Sequence, residues 1–337
     1  MEGMNKQILV AIKKNDVEML SQIAVMRGCD VNYVSSRKLT PLLYACKQSC
    51  VSTLLIEKLV ACGADIEYKD KEEKTPFFYA CAKGTRELIR TLIRIGCNKN
   101  KPNIHGDRPI HEAVIHGNTE AVLELLDHGI GINEGNRITG HTPLHLAVLH
   151  EQTNVVDLLL QKGAPPDKVT SEGESALHYA VQISSPRIIK LLVESGAEID
   201  KFNNCGETPF IIAVQEERVN HARTLVNCDC EMEKHRYSSA LSIACSRGSY
   251  KMIKYLLSEG YCLHKDRSFM ACSFLMLEEK QPELMDYVRY RCSNPLTLKE
   301  TARIYLRRLF KDELKHSVPN TGLPTQLQQW VVSDIIY

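Results

Sequence analysis

The sequence predicts an all-α fold: a solenoid of about nine helix–turn–helix units with β-hairpin connectors, followed by a small helical module. Three observations predict it. A 22-residue pattern recurs in phase, as in "TPFFYACAKGTRELIRTLIRIG" from Thr75, "RPIHEAVIHGNTEAVLELLDHG" from Arg108 and "TPLHLAVLHEQTNVVDLLLQKG" from Thr142. The starts at Thr40, Thr75, Arg108, Thr142, Ser175, Thr208 and Ser239 are 35, 33, 34, 33, 33 and 31 residues apart. Two glycine series run through the chain at the same period, and a last amphipathic stripe near residue 300 falls outside it.

Each unit follows from local chemistry. Thr-Pro opens a first, apolar helix: the hydroxyl can accept an orphan amide, and proline in the first turn loses no needed donor. A second helix comes next and is closed by glycine at Gly28, Gly63, Gly96, Gly129, Gly163, Gly196 and Gly260. Glycine there fits a left-handed C-cap. The second series, Gly106, Gly140, Gly173 and Gly206, stands two residues before the next start and marks a tight turn in the connector. The beginning (4–32) and the segment 271–292 match the pattern in part, as end units of a solenoid do.

These features resemble the ankyrin repeat, and "GHTPLHLAV" is close to its consensus. The array is expected over 1–292. An array of this kind binds: variable side chains on hairpin tips and first helices select a protein partner. Among the tips at 32–38, 67–74, 100–107 and 133–141, the aromatic and cationic candidates for target contact are Tyr33, Arg37, Tyr68, Lys71, His105 and Arg137.

Other functions are disfavoured by composition. Net charge is +1, so no global field recruits nucleic acid or an anionic membrane. The N-terminus lacks a signal sequence, and charges interrupt every apolar run, so neither secretion nor membrane spanning is expected. Thirteen scattered cysteines suit reduced thiols in the cytoplasm or nucleus. Cys228 and Cys230 lack a second ligand pair, and no metal or other cofactor is expected. His111, His145 and His178 sit at equivalent positions about one helix diameter apart, roughly 10 Å, too far to share one ion. Each is expected to hydrogen-bond within its repeat and stiffen a turn. No nucleophile–base grouping or phosphate loop stands out, and no catalytic residue is expected.

Residues 293–337 form the separate module. Leu298, Ala302, Tyr305, Leu306, Leu309 and Phe310 make one helical stripe, and Thr297 with Glu300 forms a capping-box signature. "TLKETARIYL" resembles the Elongin-binding box of SOCS-box proteins at Thr297, Leu298, Ala302 and Leu306. "LPTQLQQWV" resembles the cullin-binding box at Leu323, Pro324, Leu327, Trp330 and Val331. Ala302 stands where that family usually has cysteine, Trp330 where it has tyrosine, and Thr321-Gly322 replaces a common Leu-Pro. In this order after an array, the boxes are similar to the ankyrin-repeat and SOCS-box family. The resemblance implies a non-catalytic substrate receptor that recruits Elongin B, Elongin C and cullin-5 with a RING subunit, and presents a protein target for ubiquitination and proteasomal degradation. The alternative is an ankyrin scaffold without a ligase link, its last helices sealing the array.

Overall fold

The computed structural model describes residues 2–261, apart from 27, 28, 36, 37 and 184, and beyond them residue 286. Gly28, Arg37, the end unit expected at 271–292 except Asp286, and the nine residues of the two boxes lie outside the described residues. The chain divides into two units, Met1–Glu172 and Gly173–Tyr337.

The first unit holds five helix pairs. An end pair, α1 (Glu2–Lys14) and α2 (Val17–Val25), occupies the weakly matching beginning. Next come α3 (Pro41–Cys46) with α4 (Thr53–Ala61), and α5 (Pro76–Lys83) with α6 (Arg86–Ile95). They are succeeded by α7 (Pro109–Ile115) with α8 (Thr119–Asp127), and α9 (Pro143–Leu149) with α10 (Thr153–Gln161). In the second unit the pairs are α11 (Ala176–Ile183) with α12 (Pro186–Glu194), α13 (Pro209–Gln215) with α14 (Val219–Asn227), and α15 (Ala240–Ser246) with α16 (Tyr250–Ser258). Every first helix from α3 onward begins one residue after its expected start. This is the ankyrin-repeat solenoid pattern.

Within each unit, first helices pack on first helices and second on second. The first helices are apolar nearly all round because they are enclosed: Phe77, Phe78, Ala80 and Cys81 of α5 have no exposure. Second helices bury one stripe. In α6 that stripe is Leu88, Ile89, Thr91 and Leu92, while Arg86, Glu87, Arg90 and Arg94 face solvent. Each large apolar side chain withdrawn from water contributes roughly 1.5–3 kcal/mol. Cys46 and Cys81 serve as small core residues; burial raises both thiols, so they carry no reactive thiolate.

The Thr-Pro starts form their expected caps with one exception, and Ser239 forms one too. The hydroxyls of Thr40, Thr142, Thr208 and Ser239 accept the amides of Leu43, His145, Ile211 and Ser242. Thr75 does not: Phe78 donates its amide to the Thr75 backbone carbonyl at 3.0 Å, leaving the buried Thr75 hydroxyl without a hydrogen bond. Among the described residues, the glycines expected to end second helices adopt positive φ, Gly96 at 101° for instance. After α14 the same conformation falls on Asp229, with φ 67°.

The connectors are fingers rather than β-hairpins. No strand element occurs among the described residues. Several fingers are closed by a turn organised around one Asn or Asp, and the first by Ser35, whose hydroxyl accepts the Leu39 amide. Asn103 donates its amide to the Asp107 carbonyl at 2.9 Å, and its Oδ1 accepts the amides of His105 and Asp107. Asp70 does the same with Glu72 and Lys74, and Asn203 accepts from Glu207. This is Asx-turn chemistry. Gly106 is needed twice over: its φ is 76°, and an added Cβ would lie 2.9 Å from the Arg137 amide of the next finger.

Candidate protein-binding groove

In the first unit, fingers and first helices enclose a hollow of about 530 Å³. Its finger walls carry Lys38, Leu39, Asp70, Lys71 and Glu72, and its helical floor carries Tyr44, Lys47, Gln48 and Tyr79. The repeat itself builds the floor. Tyr44 and Tyr79 stand four residues after their starts, Thr40 and Thr75, and so reach the same face of successive first helices. At the same position in the next repeat, Glu112 extends to the finger and meets Lys74 at 3.2 Å.

Polar groups at the floor are mutually engaged. The Tyr79 hydroxyl donates to Asp70 Oδ2 at 2.6 Å, and Asp70 Oδ1 accepts the amides of Glu72 and Lys74, so the carboxylate holds three hydrogen-bond donors. Partial burial and this bond to a carboxylate push the Tyr79 phenol well above its ordinary pKa, so it stays a donor. Glu72 pairs with Lys74 at 3.2 Å. Lys47 lies over the Tyr79 ring, 5.1 Å from its centroid, a cation–π contact. The arrangement can dock a side chain against two tyrosines while lysines hold its polar end.

The candidate tip residues separate into three groups. Lys71 is exposed and lines the hollow. His105 and Arg137 are exposed on the next two fingers, which Gly106 brings into backbone contact. Backbone bonds also link the tips: Ile104 donates to the Glu72 carbonyl and Ser171 to that of Thr139, each at 3.1 Å. Tyr33 and Tyr68 are half-buried and do not line the hollow. They sit at finger bases, where neighbouring Asn32 and Glu67 tie down the next repeat. Tyr44, Lys47 and Tyr79 are absent from the residues that sequence singles out. The signal that could have found the floor is the tyrosine shared four places after two successive starts.

The three in-phase histidines are structural, as expected. Each Nδ1 accepts the amide of its repeat's first residue, at 3.0 Å from Arg108, 3.1 Å from Thr142 and 3.1 Å from Ser175. Nε2 of His111 reaches the Glu134 carbonyl at 2.9 Å, and that of His178 the Glu207 carbonyl at 3.3 Å, so each ties its helix to the next finger. Burial lowers the pKa of both to about 4, keeping them neutral. Among the described residues no group of three or more His, Cys, Asp or Glu is placed to hold a metal ion, and no helix is long and apolar enough to cross a membrane.

Comparisons with known proteins agree with this geometry. A family model described as ankyrin repeats (3 copies) matches residues 8–103, 50–136, 131–203 and 188–267. The ankyrin repeat domain of human ASB11 superposes with a TM-score of 0.59 at 24% identity, over 66% of this chain and 98% of that one. The ankyrin repeat domain of Bcl-3, a member of the IkappaB family, gives 0.55 at 24% identity, over 66% and 96%. At these identities the likeness establishes fold alone. No curated protein sequence matches the chain. Ankyrin repeats bind protein partners and are generally non-catalytic scaffolds. With its matches running from residue 8 to residue 267 and its finger-and-helix units in phase, the chain belongs to the ankyrin-repeat family.

Proposed function

We propose that this chain is the substrate-recognition adapter of a cullin-5 RING ubiquitin ligase, with the finger groove holding a protein target and residues 293–337 recruiting Elongin B, Elongin C and cullin-5. The observation that carries the reading is the ordered pair of boxes, Thr297–Leu306 and Leu323–Val331, after an ankyrin array. Catalysis would then reside in the partners. This chain would contribute proximity: a target held in the groove is kept at high effective concentration near the charged conjugating enzyme. Action in the cytoplasm or nucleus belongs to the same proposal.

Leu298 and Leu306 would act as apolar anchors of a helix laid in a groove of Elongin C, each contributing roughly 1.5–3 kcal/mol on burial. The test is copurification of Elongin B and C with wild type and with the Leu298→Asp/Leu306→Asp double variant. Loss of both partners from the variant, with the array still folded by circular dichroism, is expected. Equal recovery from the two would overturn the adapter reading and leave a non-ligase ankyrin scaffold.

A further inference from the structure

We propose that the hollow of the first unit receives an acidic segment of the partner protein, its carboxylates taken by Lys38, Lys47 and Lys71 and an apolar side chain resting on Tyr44. The inference rests on the groove being the target-binding surface and specifies what it selects. It does not depend on the ligase partners.

Charge pairing around the hollow is uneven. Neighbouring lysines on these fingers have carboxylate partners: Lys69 with Glu73 at 2.5 Å, Lys74 with Glu72 and Glu112 at 3.2 Å, and Lys101 with Glu67 at 2.7 Å. Lys38, Lys47 and Lys71 have none among the described residues, although all three line the hollow beside Asp70 and Glu72. Those two carboxylates are already occupied, Asp70 by the Tyr79 hydroxyl and two amides, Glu72 by Lys74. The hollow therefore presents three ammonium groups without an ion-pair partner among the described residues, against two wall carboxylates that keep their charge but are engaged by other groups. An incoming carboxylate meets complementary potential without displacing an existing pair.

The floor narrows the class of ligand. Tyr44 and Leu39 are half-buried and give an apolar seat. A single side chain flanked by acids fits this seat. A nucleic-acid backbone fits poorly, because the three lysines border one local hollow with an apolar seat and do not form an extended basic track for evenly spaced phosphates, and the balanced net charge of +1 supplies no wider field.

The full chain is titrated into a fluorescein-labelled Gly-Glu-Glu-Leu-Glu-Glu-Gly peptide at low salt, with fluorescence anisotropy as readout. Binding is expected. It should weaken about tenfold or more when Gln replaces each Glu, in the Lys38→Glu/Lys71→Glu variant, and on raising salt several-fold. Lys47→Glu should weaken it as well. Lys38 and Lys71 are exposed, so thermal melting of the Lys38→Glu/Lys71→Glu variant should match wild type, and Elongin capture should be unchanged. Absence of binding to wild type, equal affinity for the Gln peptide, or equal affinity of the lysine variants would overturn the proposal. So would tighter binding of an oligothymidylate of equal charge. A target released by Tyr44→Ala yet retained by the lysine reversals would overturn only the acidic ligand and leave the groove in use.

Discussion

Two seams between neighbouring repeats are built from opposite chemistry. The repeat starting at Thr75 is tied to the one starting at Arg108 by charge. Arg86 Nε meets Glu124 Oε2 at 2.6 Å, Arg90 Nε meets Glu124 Oε1 at 3.0 Å, and Lys74 meets Glu112 at 3.2 Å. The repeat starting at Ser175 is tied onward by a neutral imidazole, His178 to Glu207; in the repeat starting at Arg108 the same tie, His111 to Glu134, runs beside an Arg108–Glu134 ion pair. A charged seam tolerates water and works from exposed arginines. The imidazole seam works only when dry, because its histidines are fully buried. The two should therefore fail under different conditions.

The largest expected difference is the removal of an imidazole. His178→Ala should cost about 3 kcal/mol, since it leaves a cavity, an unsatisfied amide at Ser175 and a broken tie to the next finger. Urea denaturation monitored by circular dichroism measures it. A loss under about 1 kcal/mol would show that the seam is held by apolar packing alone.

Acid should produce an effect of similar size at each buried histidine. Burial holds His111 and His178 at about 4, below the ordinary 6.5. The unfolded chain then binds protons before the folded one, so stability falls as pH drops from 6.5 to 4, by about 3 kcal/mol per histidine. Stability at several pH values, with and without His178→Ala, tests this; the variant should lose part of the slope. Glu124 titrates in a lower window. Burial alone would raise its pKa, but hydrogen bonds and charge from Arg90 and Arg86 outweigh it and hold the carboxyl below 4.5. Its contribution is present above 4.5 and disappears as pH falls through the depressed value.

Glu124→Gln should cost about 2 kcal/mol at neutral pH, by removing the charge from a side chain only 2% exposed while keeping its shape. The penalty should shrink in high salt, whereas that of His178→Ala should not. A salt-independent Glu124→Gln penalty would erase the proposed contrast. The smallest effects concern caps. Thr208→Val should lose about 1 kcal/mol with its cap bond, while Thr75→Val should be neutral or slightly stabilising because its buried hydroxyl has no partner.

Much of this molecule is legible in the order of its residues. The in-phase starts locate seven first helices to within one residue, because proline and a hydroxyl at a helix start are local requirements of backbone geometry. The role of the histidines is legible for the same reason: three residues separate each imidazole from the amide that it accepts. Thr75 departs from the pattern: Thr40 and Thr208 cap with an apolar residue three places on, whereas here Phe78 donates to the Thr75 carbonyl instead. Among the tip candidates, Lys71 joins the hollow and Tyr33 and Tyr68 do not. Hydropathy and turn composition cannot distinguish the base of a finger from its tip.

The repeat, its phase, the caps and the glycine turns are all set by residues within one turn of one another, so the bare string of letters suffices to find them. That string also carries the two boxes on which the adapter proposal rests. Which lysines find carboxylates is a matter of packing. Lys74 reaches a residue 38 positions away, and Lys47 turns to a tyrosine ring. Pairing across repeats depends on side-chain reach and on competition among neighbours, and a one-dimensional pattern of charges contains neither.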